Sequence, residues 1–249
     1  MEREEVLDGG NASGDAVRVG STVRKAWLAS TPRVVAFMDA LRGGGIDVPC
    51  TYGRDEHGRW ILDFVPGTMA IDIAPLSTDV VRRVGALVRS IHDASAKLPV
   101  PVDWPVGVLP APHTDLLCHN DLATWNLVID GNRLVFIDWD GAAPSSRSWD
   151  LAYAAIAFAH LFPGTDVAYS VKRLDAFVEG YAADTDVRAV LPRLMVQRSG
   201  AMYDLLRASH HSGREPWGTM YVEGHGDHWL ATTKFIEQHQ REWVEALSH

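Results

Sequence analysis

The chain has 249 residues, 47% of them hydrophobic and 22% charged, with a net charge of −9. That length buries one large core or two small lobes sharing a cleft, and no basic run is present to match nucleic-acid phosphates. The two cysteines, Cys50 and Cys118, are too few for a disulfide framework and too far apart for a CxxC site. Both stand beside apolar residues and are expected as buried thiols. The opening Met1-Glu2-Arg3-Glu4-Glu5 lacks the basic and apolar regions of a signal peptide. The longest apolar stretch, Leu151 to Phe162, contains His160 and is too short to span a bilayer, so it reads as a buried helix. A cytoplasmic protein with neither a membrane nor a nucleic-acid partner is expected.

In chain order, Val6-Leu7-Asp8 reads as a short strand entering a small-residue loop, Gly9 to Gly14. Ala16 to Val19 and Ser21 to Ala26 read as paired strands. Thr31-Pro32 opens a helix through Arg42, with Thr31 as N-cap, and Gly43-Gly44-Gly45 ends it. Val48 to Tyr52 and Trp60 to Val65 are further strands, joined by the turn Arg54 to Arg59. Pro66-Gly67 marks a change of character. Ser77 to Lys97 carries a helical stripe of Val80, Val81, Val84, Leu87, Val88 and Ile91. A proline-rich connector from Pro99 to Pro112 follows. Helices are predicted over Ser148–Leu161, Val167–Ala183, Val187–Ala208 and Gly226–Ala246. This is an α+β pattern: a β-rich lobe over 1–66, a hinge at 65–67 and an α-rich lobe over 67–249.

Residues 118–140 carry the chemistry. Asp121 and, five positions later, Asn126 precede a hairpin of Leu127 to Ile129, the turn Asp130-Gly131-Asn132, and Leu134 to Ile137, which delivers Asp138. One carboxylate to accept a hydroxyl proton, with an amide oxygen and a second carboxylate to hold Mg²⁺ against phosphates, is what phosphoryl transfer from a nucleotide requires. The spacing matches a kinase catalytic loop, H-R-D-x-x-x-x-N, with Asn120 where a protein kinase has Arg. Asp121 is therefore the candidate base, and Asn126 and Asp138 are the candidate metal ligands. Separately, these could be a turn aspartate, a helix cap and a strand-end residue; jointly they point to a site. Asp140 alternates with Asp138 and either binds a second ion indirectly or faces solvent. His119 is expected to bond to backbone around the metal site. Asp150, near a helix start, is expected to accept backbone N–H bonds from the catalytic loop, the alternative being a first-turn acid stabilised by the helix dipole.

Lys25 is the candidate cation for the nucleotide phosphates, preferred over Arg24 on strand register, which a one-residue slip would invert. Gly10 and Asn11 belong to a loop whose backbone amides could wrap phosphates. Asp63-Phe64-Val65, at the lobe junction, is where an adenine is expected to meet backbone groups. The histidines at 210, 211, 225 and 228 lack the pattern of a metal site. The tryptophans are expected to pack the lobes.

With these residues in view, the chain resembles the aminoglycoside phosphotransferase and choline kinase family, which has a protein-kinase-like fold. The catalytic loop Cys118 to Asn126, the metal segment Phe136 to Ala142, the run Asp150-Leu151-Ala152-Tyr153, the helix end Ser90-Ile91-His92-Asp93 and the hairpin Val17 to Lys25 carry the likeness. It spans most of residues 6–160. The resemblance implies ATP or GTP and Mg²⁺ as cofactors and a small molecule, with an aminoglycoside or related antibiotic leading, as hydroxyl acceptor. Choline, an amino alcohol, a sugar or a macrolide remain open. Acids at Glu179, Asp204, Glu215, Glu223 and Asp227 are available for a cationic acceptor. One departure stands out: the helix from Thr31 to Arg42 has Asp39 as its sole acid, where kinases of this class place a glutamate to hold the lysine.

Two rival readings exist. A non-catalytic, kinase-like ligand-binding or immunity protein is suggested by the missing glutamate. A metallohydrolase could use His113, His119, Asp121 and Asp138. A Lys25 ammonium within reach of the Asp138 carboxylate across a cleft would favour the kinase over the hydrolase.

Overall fold

Short β-branched runs separated by tight turns build a five-stranded antiparallel sheet in the first lobe. In this computed structural model, which describes residues 3–7, 16–105 and 107–248, the strands are β1 (Glu4–Leu7), β2 (Ala16–Val19), β3 (Thr22–Lys25), β4 (Thr51–Arg54) and β5 (Trp60–Asp63), in the order β1-β2-β3-β5-β4. The β2–β3 register pairs Val17 with Arg24, and Lys25 pairs with Trp60 on β5. Lys25 thereby becomes a buried strand-end residue. Helix α1 (Thr31–Gly43) packs Val34, Phe37, Met38 and Leu41 into the core. Its N-cap is Ser30, not Thr31: the Thr31 hydroxyl instead accepts the Leu28 N–H at 2.9 Å, which draws the threonine into the first turn.

The expected strand over Val48 to Tyr52 starts later, at Thr51, because Val48 is claimed by the core ahead of the sheet edge. Cys50 is only half-buried there, contrary to expectation, whereas Cys118 is buried. Beyond the sheet, β6 (Thr68–Met69) joins β8 (Leu127–Asp130) and β9 (Arg133–Phe136) in a three-stranded sheet. The β8–β9 hairpin closes on Gly131, at φ 55°, and Asn132, a tight connection that left-handed backbone allows. A two-stranded pair, β7 (Leu116–Cys118) with β10 (Ala143–Ser145), brackets the catalytic loop.

Helix α2 (Thr78–Ser95) buries Val81, Val84, Val88 and Ile91 of the predicted stripe and half-buries Val80 and Leu87. It crosses α4 (Val167–Tyr181) so closely that a Cβ at Gly85 would lie 2.1 Å from the Phe177 carbonyl oxygen, and one at Gly180 1.9 Å from that of Arg82. Helix α3 (Arg147–Phe158) is buried from Trp149 onward, as its continuous apolar run requires. The long α5 (Thr185–Ser212) packs on α3 and on α7 (Gly226–Gln238). A four-residue α6 (Trp217–Met220) leads into α7. The single helix expected over Gly226–Ala246 is two: α8 (Gln240–Leu247) starts after a break at His239. The break lets Trp243 fold back, bury itself and donate its indole N–H to the Ile236 oxygen at 3.1 Å. Among the described residues no helix is long and apolar enough to cross a membrane.

Candidate active site

The candidate catalytic loop runs between β7 and the 3-10 turn Thr124–Asn126 that opens β8. Its shape rests on Asn120, which adopts left-handed backbone at φ 67°. Asparagine tolerates that region better than most residues. Here its side-chain amide also donates to the Gly141 oxygen at 3.1 Å and the Ala143 oxygen at 3.3 Å. Its N–H donates to Asp150 Oδ1 at 2.9 Å. Asp150 is fully buried, and its other oxygen meets His92 Nε2 at 3.1 Å, while His92 Nδ1 meets the Tyr181 hydroxyl at 2.8 Å. The loop is thus tied through one carboxylate to α2 and α4.

Asp121 projects from the next position. Its N–H donates to His119 Nδ1 at 3.2 Å, which leaves His119 Nε2 to donate to the Ile137 oxygen at 3.0 Å. His119 therefore spans the loop and the metal segment, packed against Trp139 at 4.5 Å. Asp121 Oδ2 accepts from Asn126 Nδ2 at 2.8 Å and from the Trp125 indole at 3.4 Å, and Tyr153 bonds to the same carboxylate. Burial pushes the Asp121 carboxyl up from its ordinary range, against the opposing pull of His119 and Tyr153. Both bonds donated by the Asn126 amide nitrogen go to Asp121, so its carbonyl oxygen is turned the other way, as a hard-oxygen ligand requires.

Asp138 also has left-handed backbone, at φ 60°, which swings its carboxylate out of the β9 line and toward the cleft. There Lys25 Nζ lies 2.5 Å from Asp138 Oδ1 and 2.6 Å from Asp140 Oδ2. Burial presses the Lys25 ammonium downward in pKa, but the two carboxylates outweigh it and leave the lysine above its usual value. Arg24 turns the other way, donating to the Thr22 hydroxyl at 2.7 Å and pairing with Asp55 at 3.6 Å. Asp140 neither faces solvent nor stands apart from the lysine: it is largely buried and is a second anchor of Lys25. Asp39 of α1 is occupied by Arg42. Helix α1 meets the metal segment through an apolar contact instead, with Phe37 edge-on to Trp139 at 5.8 Å.

Gly10 and Asn11 lie outside the described residues. At the lobe junction the Phe64 N–H donates to the Ser21 oxygen at 2.9 Å, and its ring lies under Arg18 at 3.9 Å. The Asp63 carboxylate faces outward to β4, accepting the Cys50 N–H at 3.0 Å and the Tyr52 hydroxyl at 2.7 Å. Val65 packs on Val128 and Val135, with Met69 and Ile137 beside them, an apolar floor under the hinge. A cavity of about 320 Å³ behind the hinge is lined by Arg42, Asp63, Phe64 and Arg133, but not by Lys25 or Asp138.

Three functional-site neighbours went unread in the sequence. Tyr153 and His92 stand inside motifs quoted only for their resemblance. Arg198 follows Leu191 and Met195 at helical spacing on the buried face of α5, and a charge on such a stripe is the signal that could have found it. Among the acids considered for an acceptor, Glu179 pairs with Arg82 at 2.9 Å, Asp204 with Arg207 at 3.0 Å, and Glu215 accepts the Thr219 N–H at 3.0 Å. Glu223 and Asp227, both exposed, lie at the approach to α7 and on its first turn.

Residues 103–191 match the model of the phosphotransferase enzyme family. The two-lobed, protein-kinase-like fold recurs in solved structures at low identity. A choline/ethanolamine kinase family protein from Mesorhizobium loti is 15% identical, with a TM-score of 0.68 over 99% of this chain and 92% of that one. A microcompartment-associated aminopropanol kinase is 14% identical, with a TM-score of 0.68 over 99% and 95%. A "putative aminoglycoside phosphotransferase" from Ralstonia eutropha is 14% identical, with a TM-score of 0.60 over 96% and 93%. No curated protein matches this chain in sequence.

Proposed function

We propose that this phosphotransferase moves the γ-phosphoryl group of ATP or GTP to a hydroxyl of a small, amine-bearing molecule. An aminoglycoside or related antibiotic is the leading acceptor class, and an amino alcohol such as choline the second. The observation that carries the reading is Lys25 Nζ at 2.5 Å from Asp138 Oδ1, with Asp138 near enough to act on the carboxyl of Asp121, itself bonded to Asn126. That is the lysine–carboxylate contact expected of a kinase and not of a hydrolase built on His113, which lies exposed. The division of labour between the lobes falls at residues 66 and 67.

The donor set suits Mg²⁺: one carboxylate from Asp138 and one amide oxygen from Asn126, both hard, leave room for phosphate oxygens and water. A cation already sits on Asp138 in the form of the Lys25 ammonium, so the position favours positive charge. When bound, the metal would neutralise charge on the phosphates. The chain's own residues do the rest. Lys25 shifts from Asp138 to the phosphates while Asp140 keeps hold of it. Asp121, steadied by Asn126, Trp125 and Tyr153, orients the acceptor hydroxyl and takes its proton late, because the transition state is loose. Val65, Val128 and Ile137 would supply an apolar wall for the nucleobase. Trp229 stacks on Tyr153 at 5.8 Å, so the start of α7, with Asp227, borders the Asp121 side of the cleft, where a cationic acceptor finds a carboxylate.

The non-catalytic alternative rested on the missing helix glutamate, and the Asp140 contact removes that support. The test is Mg²⁺-dependent release of ADP and GDP across a panel of aminoglycosides, other antibiotics, choline, amino alcohols and sugars, with Asp121→Ala as control. Turnover with one acceptor class, abolished in the variant, is expected. Failure to bind nucleotide in the presence of Mg²⁺ would overturn the reading.

A further inference from the structure

Arg198 is 3% exposed, in the middle of α5 and beyond the family-matched segment. Its Nη2 donates to the main-chain oxygen of Asn120 at 3.1 Å. The guanidinium lies over the Tyr153 ring at 4.2 Å and within 5.7 Å of the Trp149 ring. Its Nε and Nη1 find no hydrogen-bond partner among the described residues. The charges acting on it are the carboxylates of Asp121 and Asp150 and the Tyr153 hydroxyl, and the last of these bonds to Asp121. A guanidinium stripped of water with two of its three nitrogens unpaired is costly, and a Leu or Met would suit the Leu191–Met195 stripe better. Stability alone does not account for an arginine here.

Its two contacts converge on the catalytic residue. One holds the carbonyl of the peptide that joins left-handed Asn120 to Asp121. The other holds the ring whose hydroxyl bonds to the Asp121 carboxylate. In a protein kinase the residue before the catalytic aspartate is itself an arginine; here that position is Asn120, and a guanidinium reaches the loop from a distant helix.

We propose that Arg198 is a positioning residue of the catalytic loop, fixing the Asn120–Asp121 peptide directly and the Asp121 carboxylate through Tyr153. The proposal rests on the phosphotransferase reading only for its catalytic consequence. Arg198→Met and Arg198→Lys in the full chain test it by two readouts. Amide hydrogen exchange over residues 118–126 is expected to quicken by about tenfold or more in Arg198→Met, with the α4 segment unchanged. Turnover of Mg²⁺-nucleotide, with acceptor or with water, is expected to fall about tenfold or more while affinity for a non-hydrolysable ATP analogue holds, since small misplacement of a base is felt in kcat. Arg198→Lys keeps the charge and restores part of both, and it serves as the probe where the methionine variant does not fold. Loop exchange that is unchanged, or that rises in step with α4, would overturn the proposal. So would turnover and nucleotide affinity falling together. Absence of turnover in the wild type would count against the phosphotransferase reading, while the exchange experiment would still decide what Arg198 holds.

Discussion

Asp150 and Asp138 flank the same catalytic loop and are held in opposite ways. Asp150 is sealed under the loop, between His92 and the Asn120 N–H, with no exposed side-chain surface. Asp138 faces the cleft, its side chain 30% exposed, and its partner Lys25 belongs to the other lobe. The first contact is made once, on folding. The second is made by a cation that the proposed function requires to move. Buried, fully bonded polar groups fix a shape, whereas a carboxylate at a cleft mouth can exchange one cation for another.

Substitutions under the loop carry the largest expected losses of stability. The His92–Tyr181 contact depends on α2 lying directly on α4, and Gly85→Ala places a Cβ 2.1 Å from the Phe177 oxygen. That overpacking is expected to cost about 3 kcal/mol or more in urea denaturation. Asp150→Ala leaves His92 and the Asn120 N–H without their buried acceptor, and a loss of about 3 kcal/mol is expected. Tyr181→Phe removes one hydroxyl from the same chain and should cost about 1 kcal/mol. A Gly85→Ala protein as stable as wild type would refute the close helix crossing.

From the cleft side the effects on stability are smaller and those on turnover larger. Asp138→Asn keeps Asp140 as partner of Lys25, so stability should change by less than about 1 kcal/mol, while turnover drops by about 10²-fold or more. Asp121→Asn has the smallest expected effect on stability, and of the opposite sign. Burial holds the folded Asp121 carboxyl above its unfolded value, so the folded state binds that proton more tightly. Its ionisation therefore disfavours the fold, fully at pH above the folded pKa and not at all below the unfolded one. The nucleotide-free Asp121→Asn protein should melt slightly higher than wild type at neutral pH, and the gain should vanish on acidification. A lower melting point at neutral pH would mean that Asp121 is a stabilising carboxylate.

The hairpin was readable because it is local. Leu127 to Ile129 and Leu134 to Ile137 are short apolar runs about a turn at Gly131, and the candidate site residues Asp121, Asn126 and Asp138 sit at fixed offsets from it. The choice of Lys25 over Arg24 was also a local inference, since strand alternation sends the two in opposite directions. The break at His239 escaped because the apolar stripe continues across it with no Gly or Pro to mark it. Asp140 escaped for a different reason: whether an alternating acid meets water or a lysine depends on what the other lobe places opposite it.

By itself, the sequence pointed to an α+β chain of two lobes and marked out a candidate phosphoryl-transfer loop ahead of a hairpin. Those features follow from periodicity and spacing, which reach no further than a turn or a hairpin. Only the tertiary structure decided that Asp140 pairs with Lys25, that His92 and Tyr181 underpin Asp150, and that Arg198 reaches Asn120 from 78 residues away. Such pairings are selected by which buried polar groups need partners once the helices have packed, and no stretch of neighbouring residues carries that information.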